Sequence, residues 1–374
     1  MFIVTNREVD ESKSGLEIFG KNPNKAGPNE LRLVEANKVG RNWRIKLLPD
    51  DITPQMAKEV GLVAETDPKT GKAKPIYASR YVARKLQARV NPTAVGLKGT
   101  AGRNLVFFVH GFNNDMKAVL ERALQFEKNY GVEVIPFSWP ANGGGIPGVA
   151  SYKSDKRDAL ASTGALDRCI AKLHDYLQEI HKEYVAEVEA KANEKYANDA
   201  EKWDRFFNEQ AQKWCPFTIN IVLHSMGNYL FKNMLKSSSY RGDLLVFDNV
   251  VLVAADTNNE GHAEWVDRIQ CRGRVLITIN ENDGALAASR LKMGEQQKAR
   301  LGHYPYRLNS DRAVYVNFSE ESYVGDSHAY FEGAPIRNQK VKQFFQDAFD
   351  GLAAERGLYF DVANNMYKFR KNQT

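Results

Sequence analysis

The chain reads as an α/β protein built on a mostly parallel, doubly wound sheet with helices on both faces. Three observations predict this class. Apolar runs such as Leu105-Val-Phe-Phe-Val109 and Val250-Val-Leu-Val-Ala-Ala255 are continuous rather than alternating, as strands covered on both faces require. Between them lie segments with apolar residues at helical spacing, so strand and helix alternate along the chain. The 374 residues are 43% hydrophobic and 26% charged, which suits a globular chain with a sizeable core.

Taken in order, residues 1 to 100 are the least regular. Phe2-Ile-Val4 forms a short strand, followed by a loop rich in Gly, Asn, Lys and Pro from Asp10 to Asn29. Leu31, Leu33, Trp43, Ile45 and Leu47 alternate with polar residues around Lys38-Val-Gly-Arg-Asn42, which predicts a hairpin. Asp67 to Pro75 is a loop and Tyr77 to Arg89 a helix. The core begins with the strand at Leu105. Met116, Val119, Leu120, Ala123 and Leu124 then mark a helix with Asn113 or Asn114 as its cap and Gly131 as its stop. Val132 to Ser138 is the next strand, and Pro136 within it predicts an edge or a bend. Further strands follow at Thr218–Leu223, Val250–Ala255, Val275–Ile279 and Ala313–Phe318, and a last helix at Val341–Leu352.

Ser154 to about Lys213 stands apart. Leu166, Ile170, Leu173, Leu177 and Ile180 give its first part a core-facing stripe. Beyond Lys182 it turns rich in Glu, Lys and Ala, with Tyr184, Trp203, Phe206 and Phe207 spread through it. The segment 182–213 is expected to be a long charged helical insertion. It would serve as a solvated extension, a cap, or an arm for a protein partner.

Composition narrows the function classes. A net charge of +6 over 374 residues, with Lys and Arg interleaved among acids, does not describe a nucleic-acid binder. Three distant cysteines, Cys169, Cys215 and Cys271, point to reduced thiols and carry no zinc spacing. The apolar run at Met1 is too short for a signal peptide, and no stretch approaches the length of a membrane span. A cytoplasmic location is the expectation. Gly143-Gly-Gly-Ile-Pro-Gly148 lacks the lysine and serine of a phosphate loop and the spaced glycines of a dinucleotide turn. It reads as a loop, and no metal or organic cofactor is expected.

The stretch that carries chemistry is Asn220-Ile-Val-Leu-His-Ser-Met-Gly-Asn228. A buried strand, a sharp turn at His224–Gly227 and a helix place Ser225 at a nucleophile elbow. Leu223 stands where the usual motif has its first glycine. Serine needs a base beside it and an acid to orient that base. Of the seven histidines, His328 follows the last core strand and is the preferred base, with His303 as second candidate. His224, inside the turn, is expected to point away from the base. Two acids end strands at the functional edge. Asp283, in the tight turn Asn282-Asp-Gly-Ala285, is preferred over Asp256. Backbone donors for a developing oxyanion would be the N–H of Met226, at the start of the elbow helix, and that of Phe112, after Gly111.

Val109-His-Gly-Phe-Asn113, Phe137-Ser-Trp-Pro140, Leu223-His-Ser-Met-Gly-Asn228, Ala254-Ala-Asp256, Asn282-Asp-Gly-Ala-Leu286 and Gly325-Asp-Ser-His328 occur in this order. Together they resemble a widespread, mostly bacterial family of poorly characterised α/β-hydrolases, broadly described as esterase/lipase-like. The opening Phe2-Ile-Val-Thr-Asn-Arg7 resembles that family's usual start. The resemblance implies the α/β-hydrolase fold over nearly the whole chain, residues 1–374 as one domain, with the 182–213 insertion as the departure. It implies Ser225 as nucleophile, Asp283 as acid and His328 as base. The expected function is hydrolysis of carboxylic esters, small or lipid-like, through an acyl-enzyme. The alternatives are a non-catalytic interaction protein acting through the insertion, and a lipase working on lipid.

Overall fold

The computed structural model describes residues 1–92, 103–141, 149–213, 217–291 and 298–370. Gly143–Gly148 and Cys215 lie outside them. The chain divides into two compact units. Met1–Pro49, Asn104–Cys169 and Ile219–Thr374 form the first, Asp50–Arg103 and Ile170–Thr218 the second.

All strands among the described residues belong to the first unit. They are β1 (Phe2–Thr5), β2 (Arg7–Val9), β3 (Phe19–Pro23), β4 (Arg32–Val39), β5 (Asn42–Leu47), β6 (Leu105–Val109), β7 (Glu133–Ser138), β8 (Ile219–His224), β9 (Val250–Val253), β10 (Val275–Ile279), β11 (Ala313–Asn317), β12 (Tyr359–Asp361) and β13 (Met366–Lys368). Among the described residues, 11 of them make one sheet in the order β12-β13-β11-β10-β9-β8-β6-β7-β1-β4-β5. Pairing is parallel from β13 through to β1, and antiparallel at the margins, where β4 and β5 form the expected hairpin and β12 pairs β13. From β6 the chain adds β7 on one side, then returns to add β8 on the other. The carboxyl ends of β6 and β8 therefore flank the topological switch point, where open α/β sheets form their crevice.

The helices are α1 (Pro54–Glu59), α2 (Ala78–Val90), α3 (Met116–Tyr130), α4 (Val149–Ala161), α5 (Thr163–Tyr196), α6 (Ala200–Ala211), α7 (Met226–Lys236), α8 (Ala263–Val266), α9 (Gly284–Arg290) and α10 (Gln339–Phe349). Alternate strand residues Val106, Phe108, Val222, Val251, Val253, Leu276 and Val316 share one buried cluster with α3 and α10. Phe126 of α3 sits at its centre, 4.9 Å from the Phe331 ring and 5.3 Å from Phe349. Their strand neighbours point to the opposite face. Burying a side chain of this size contributes roughly 1.5–3 kcal/mol, so the aromatic cluster anchors the sheet that carries the site.

Two local expectations need correction. The cap of α3 is Asp115, whose carboxylate accepts the Ala118 N–H, rather than Asn113 or Asn114. Asn113 is left-handed, with φ 56°, and the Asn114 amide is engaged with the Gly111 and Phe112 carbonyls. Pro136 does not mark an edge, since β7 lies between β6 and β1. The β1 pairing takes in Phe137 and Ser138 only, so the missing N–H of Pro136 falls just before that ladder begins.

The second unit holds α1, α2, α6 and α5 from Ile170 onward. Arg84 bonds Glu179 and Glu183, and Arg80 bonds Glu179, joining α2 to α5. Such half-exposed pairs are worth at most about 1 kcal/mol each. Apolar contact does more: Val188 and Ala192 are buried, Phe206 packs on Tyr196, and Trp203 stacks on Phe207. The charged segment 182–213 is helical, as its composition predicts.

Candidate active site

Every residue of β8 is buried, and Ser225, which follows its last residue, has φ 53° and ψ −120°. A side chain held there costs on the order of 1–3 kcal/mol, strain that must be over-determined by its surroundings. The surroundings do so. The Ser225 N–H donates to Val253 O at 3.0 Å, and its carbonyl accepts from Asp256 N at 3.2 Å and Asn228 N at 3.1 Å. The Asn228 side chain donates to Leu223 O, Ser225 O and Val253 O, stitching both sides of the turn. Gly227 permits the close approach that follows. A Cβ on it would lie 2.7 Å from Val109 O and 2.8 Å from His110 O.

The loop after β6 runs directly against the serine. A Cβ on Gly111 would stand 2.6 Å from Ser225 Cβ and 3.2 Å from its Oγ. His110 shapes this loop from within the protein. Its Nδ1–H donates to Gly111 O at 2.9 Å, its Nε2 accepts the Trp139 N–H at 3.2 Å, and its ring stacks on the Trp139 indole at 5.0 Å. Burial, helped by the charge of Arg7, pushes its pKa down to about 3, so the ring is neutral. Asn113 donates its N–H to the Asp155 carboxylate at 3.0 Å. Arg7, fully buried, bonds Asn114 O, Ala141 O and Ser138 Oγ. Desolvation lowers its pKa to about 10, opposed by Asp115, Asp155 and Asp158, so it remains charged at neutral pH. Apart from its place in the opening Phe2–Arg7 stretch, nothing in the local sequence marks Arg7 for this role.

Asp283 follows β10 and caps α9. Its Oδ1 accepts the N–H groups of Ala285 and Leu286 at 3.0 Å each. Its Oδ2 accepts the Nδ1–H of His328 at 2.7 Å, with the carboxylate buried and the imidazole side chain 25% exposed. Two backbone bonds and a buried environment fix both the rotamer and the bond direction. The His328 loop is held to the Asp283 turn by Asn280, whose amide donates to Gly325 O and Ser327 O. On its other side, His224 Nε2 lies 3.0 Å from His328 O, and the two rings are 4.8 Å apart. The expectation that His224 points away from the place of the base candidate is therefore corrected, since it lies beside His328. β8 ends beside the His328 loop, so the ring at its last residue meets that loop.

The second candidates occupy other places. Asp256, beside the elbow by backbone, accepts from Ser289 Oγ at 2.5 Å and Tyr152 OH at 3.0 Å, and lies 3.1 Å from Arg300 Nε. It balances a buried guanidinium. His303 is buried against Tyr304, with ring centroids 4.3 Å apart, and desolvation lowers its pKa against the opposing charge of Asp283. His262 is bonded to Asn259 O and Tyr315 OH.

Among the described residues no group of three or more His, Cys, Asp or Glu is arranged to hold a metal ion. Among the same residues, no helix is long and apolar enough to cross a membrane.

A family model described as an alpha/beta hydrolase of unknown function (DUF900) matches residues 87–183 and 180–314, well over half of the chain. The two matched segments overlap at residues 180–183, and the match takes in the charged segment, Ser225 and Asp283 but ends before His328. No curated protein and no solved structure matches the chain.

Proposed function

Because the chain belongs to this DUF900 family of alpha/beta hydrolases, we propose that its hydrolase scaffold works as a serine hydrolase on carboxylic esters. The observation that carries the reading is the buried Asp283 carboxylate bonded at 2.7 Å to His328 Nδ1, at the sheet edge where Ser225 is held in a strained elbow. That bond leaves Nε2 of His328 as the base. It takes the Ser225 proton as Oγ adds to the ester carbonyl, then returns it to the departing alkoxide, leaving an acyl-enzyme. Water, deprotonated by the same nitrogen, releases the acid and restores the hydroxyl. Asp283 stabilises the imidazolium formed in between.

The oxyanion is assigned to the N–H groups of Met226 and Phe112. The first lies at the N-terminus of α7, where the helix dipole favours negative charge. The second lies on the loop that Gly111 allows against Ser225.

Reaction with a fluorophosphonate probe tests the reading. Wild-type protein is expected to be labelled at Ser225, and Ser225→Ala to show no labelling. A folded wild type that stays unlabelled would sink the proposal. p-Nitrophenyl esters of increasing acyl length then sort small esters from lipid-like ones. The alternative of a non-catalytic interaction protein draws support from the second unit, which is compact by itself. It predicts no labelling of folded wild type.

A further inference from the structure

His224 is 3% exposed and sits one residue before the nucleophile. Its Nε2 lies 3.0 Å from the His328 carbonyl oxygen, which can only accept, so Nε2 carries the hydrogen. Its Nδ1 is buried with no hydrogen-bond partner. The ring is thus a neutral Nε2–H tautomer with one nitrogen bare. A protonated ring would bury a second, unsatisfied N–H, which is unfavourable. Burial lowers its pKa well below the usual value, and the neighbouring His328 and Arg122 act in the same direction. The edge of Phe331, 5.3 Å away and near perpendicular, fixes the ring plane.

The residues just before His328 are bonded from the Asp283 side of the sheet, while Tyr130 and Arg122 of α3 bond Phe331 O and Glu332 beyond it. Asn280, after β10, holds Gly325 and Ser327, and the Gly284 N–H reaches Asp326 O at 3.4 Å. The His224 bond comes from the nucleophile's own strand. We infer that His224 is a positioning residue: by donating its Nε2–H to the His328 carbonyl, it sets the base's backbone relative to the Ser225 elbow. This rests on the serine-hydrolase reading. An imidazole suits the task because it donates one hydrogen bond while staying neutral, so the imidazolium formed on His328 meets no second cation at 4.8 Å.

The test compares His224→Leu, which keeps bulk and removes the donor, with His224→Gln, whose amide reaches the place of Nε2. The rate of fluorophosphonate labelling is expected to fall about 10²-fold in His224→Leu, the scale of an ångström of misplacement. His224→Gln should recover most of that loss. A packing role predicts the reverse ranking, because leucine suits an apolar site better than glutamine. Equal labelling of His224→Leu and wild type, or no recovery in a folded His224→Gln, overturns the inference. A substrate-free readout separates this from failure of the hydrolase reading. In nitrogen-15 spectra of selectively labelled wild type, His224 should be an Nε2–H tautomer. The His328 ring signals should shift in His224→Leu and stay in His224→Gln, whether or not Ser225 reacts. An Nδ1–H tautomer, or unmoved His328 signals in the leucine variant, overturns it as well.

Discussion

Two aspartates follow neighbouring strands at the same sheet edge, yet their partners differ, and so do the expected costs of changing them. Asp283 gives one oxygen to the cap of α9 and the other to His328 Nδ1–H. In Asp283→Asn the cap acceptor survives, so stability should change by under about 1 kcal/mol. The amide cannot hold the imidazole in the working tautomer, and labelling at Ser225 should slow by about 10³–10⁴-fold. Asp256 faces Arg300, with both side chains nearly inaccessible. Asp256→Asn strips a buried guanidinium of its countercharge and should cost about 3–5 kcal/mol in a denaturant titration. Its folded fraction should still be labelled far faster than Asp283→Asn. The opposite ranking would make Asp256 the orienting acid.

At the scale of elements, the crossing of α7 over the end of β6 decides whether the elbow exists. Gly227 lets the first turn of α7 rest on the Val109 and His110 carbonyls. Gly227→Ala puts a methyl 2.7 Å from backbone oxygen, which no rotamer change can relieve. The variant is expected to lose roughly 1–3 kcal/mol of stability. The serine would move with the helix, so its labelling rate should fall even in protein that remains folded. Denaturant melts alongside probe kinetics check both parts. An unchanged labelling rate would show that the elbow tolerates a shifted helix. Leu223, in the place usually held by glycine, stays buried in β8, and its carbonyl accepts from the Asn228 amide.

For the molecule as a whole, the buried neutral histidines link stability to acidity. His110 titrates near 3 in the folded protein and near the ordinary 6.5 when unfolded; His224 is depressed in the same sense. Between those values the unfolded chain holds more protons, so acid favours unfolding. The contribution is fully present above pH 6.5 and is lost as pH falls toward about 3. Each group adds a slope of up to about 1.4 kcal/mol per pH unit within the window. Denaturation measured from pH 7 to pH 4 should therefore show falling stability. His110→Asn, whose amide can still donate toward Gly111 O, should show a shallower fall; an identical slope would remove His110 from the account.

How much of this is legible without the fold depends on the range of the interactions involved. Continuous apolar runs name β6, β8, β9, β10 and β11, because burial on both faces leaves its mark on every residue of a strand. The order of Ser225, Asp283 and His328 along the chain, and the glycines at 111 and 227, are local marks of the same kind. The short strands β12 and β13 escape, since Tyr359–Asp361 and Met366–Lys368 carry little apolar signal and exist by pairing beside β11. The cap of α3 is misplaced by sequence alone because three consecutive residues, Asn113, Asn114 and Asp115, all suit the role. Only the bonds from Asn113 to Asp155 and from Asn114 back to the Gly111 loop leave Asp115 for it. Arg7 meets Asn114 across 107 residues, and His224 meets His328 across 104. Contacts of that range leave no periodicity or spacing to read, because the sheet order decides which strand ends meet. The residue types and their order are thus set in the sequence. Which aspartate faces the imidazole of His328, and which histidine lies beside it, is decided where the sheet brings β6, β8 and β10 to one edge.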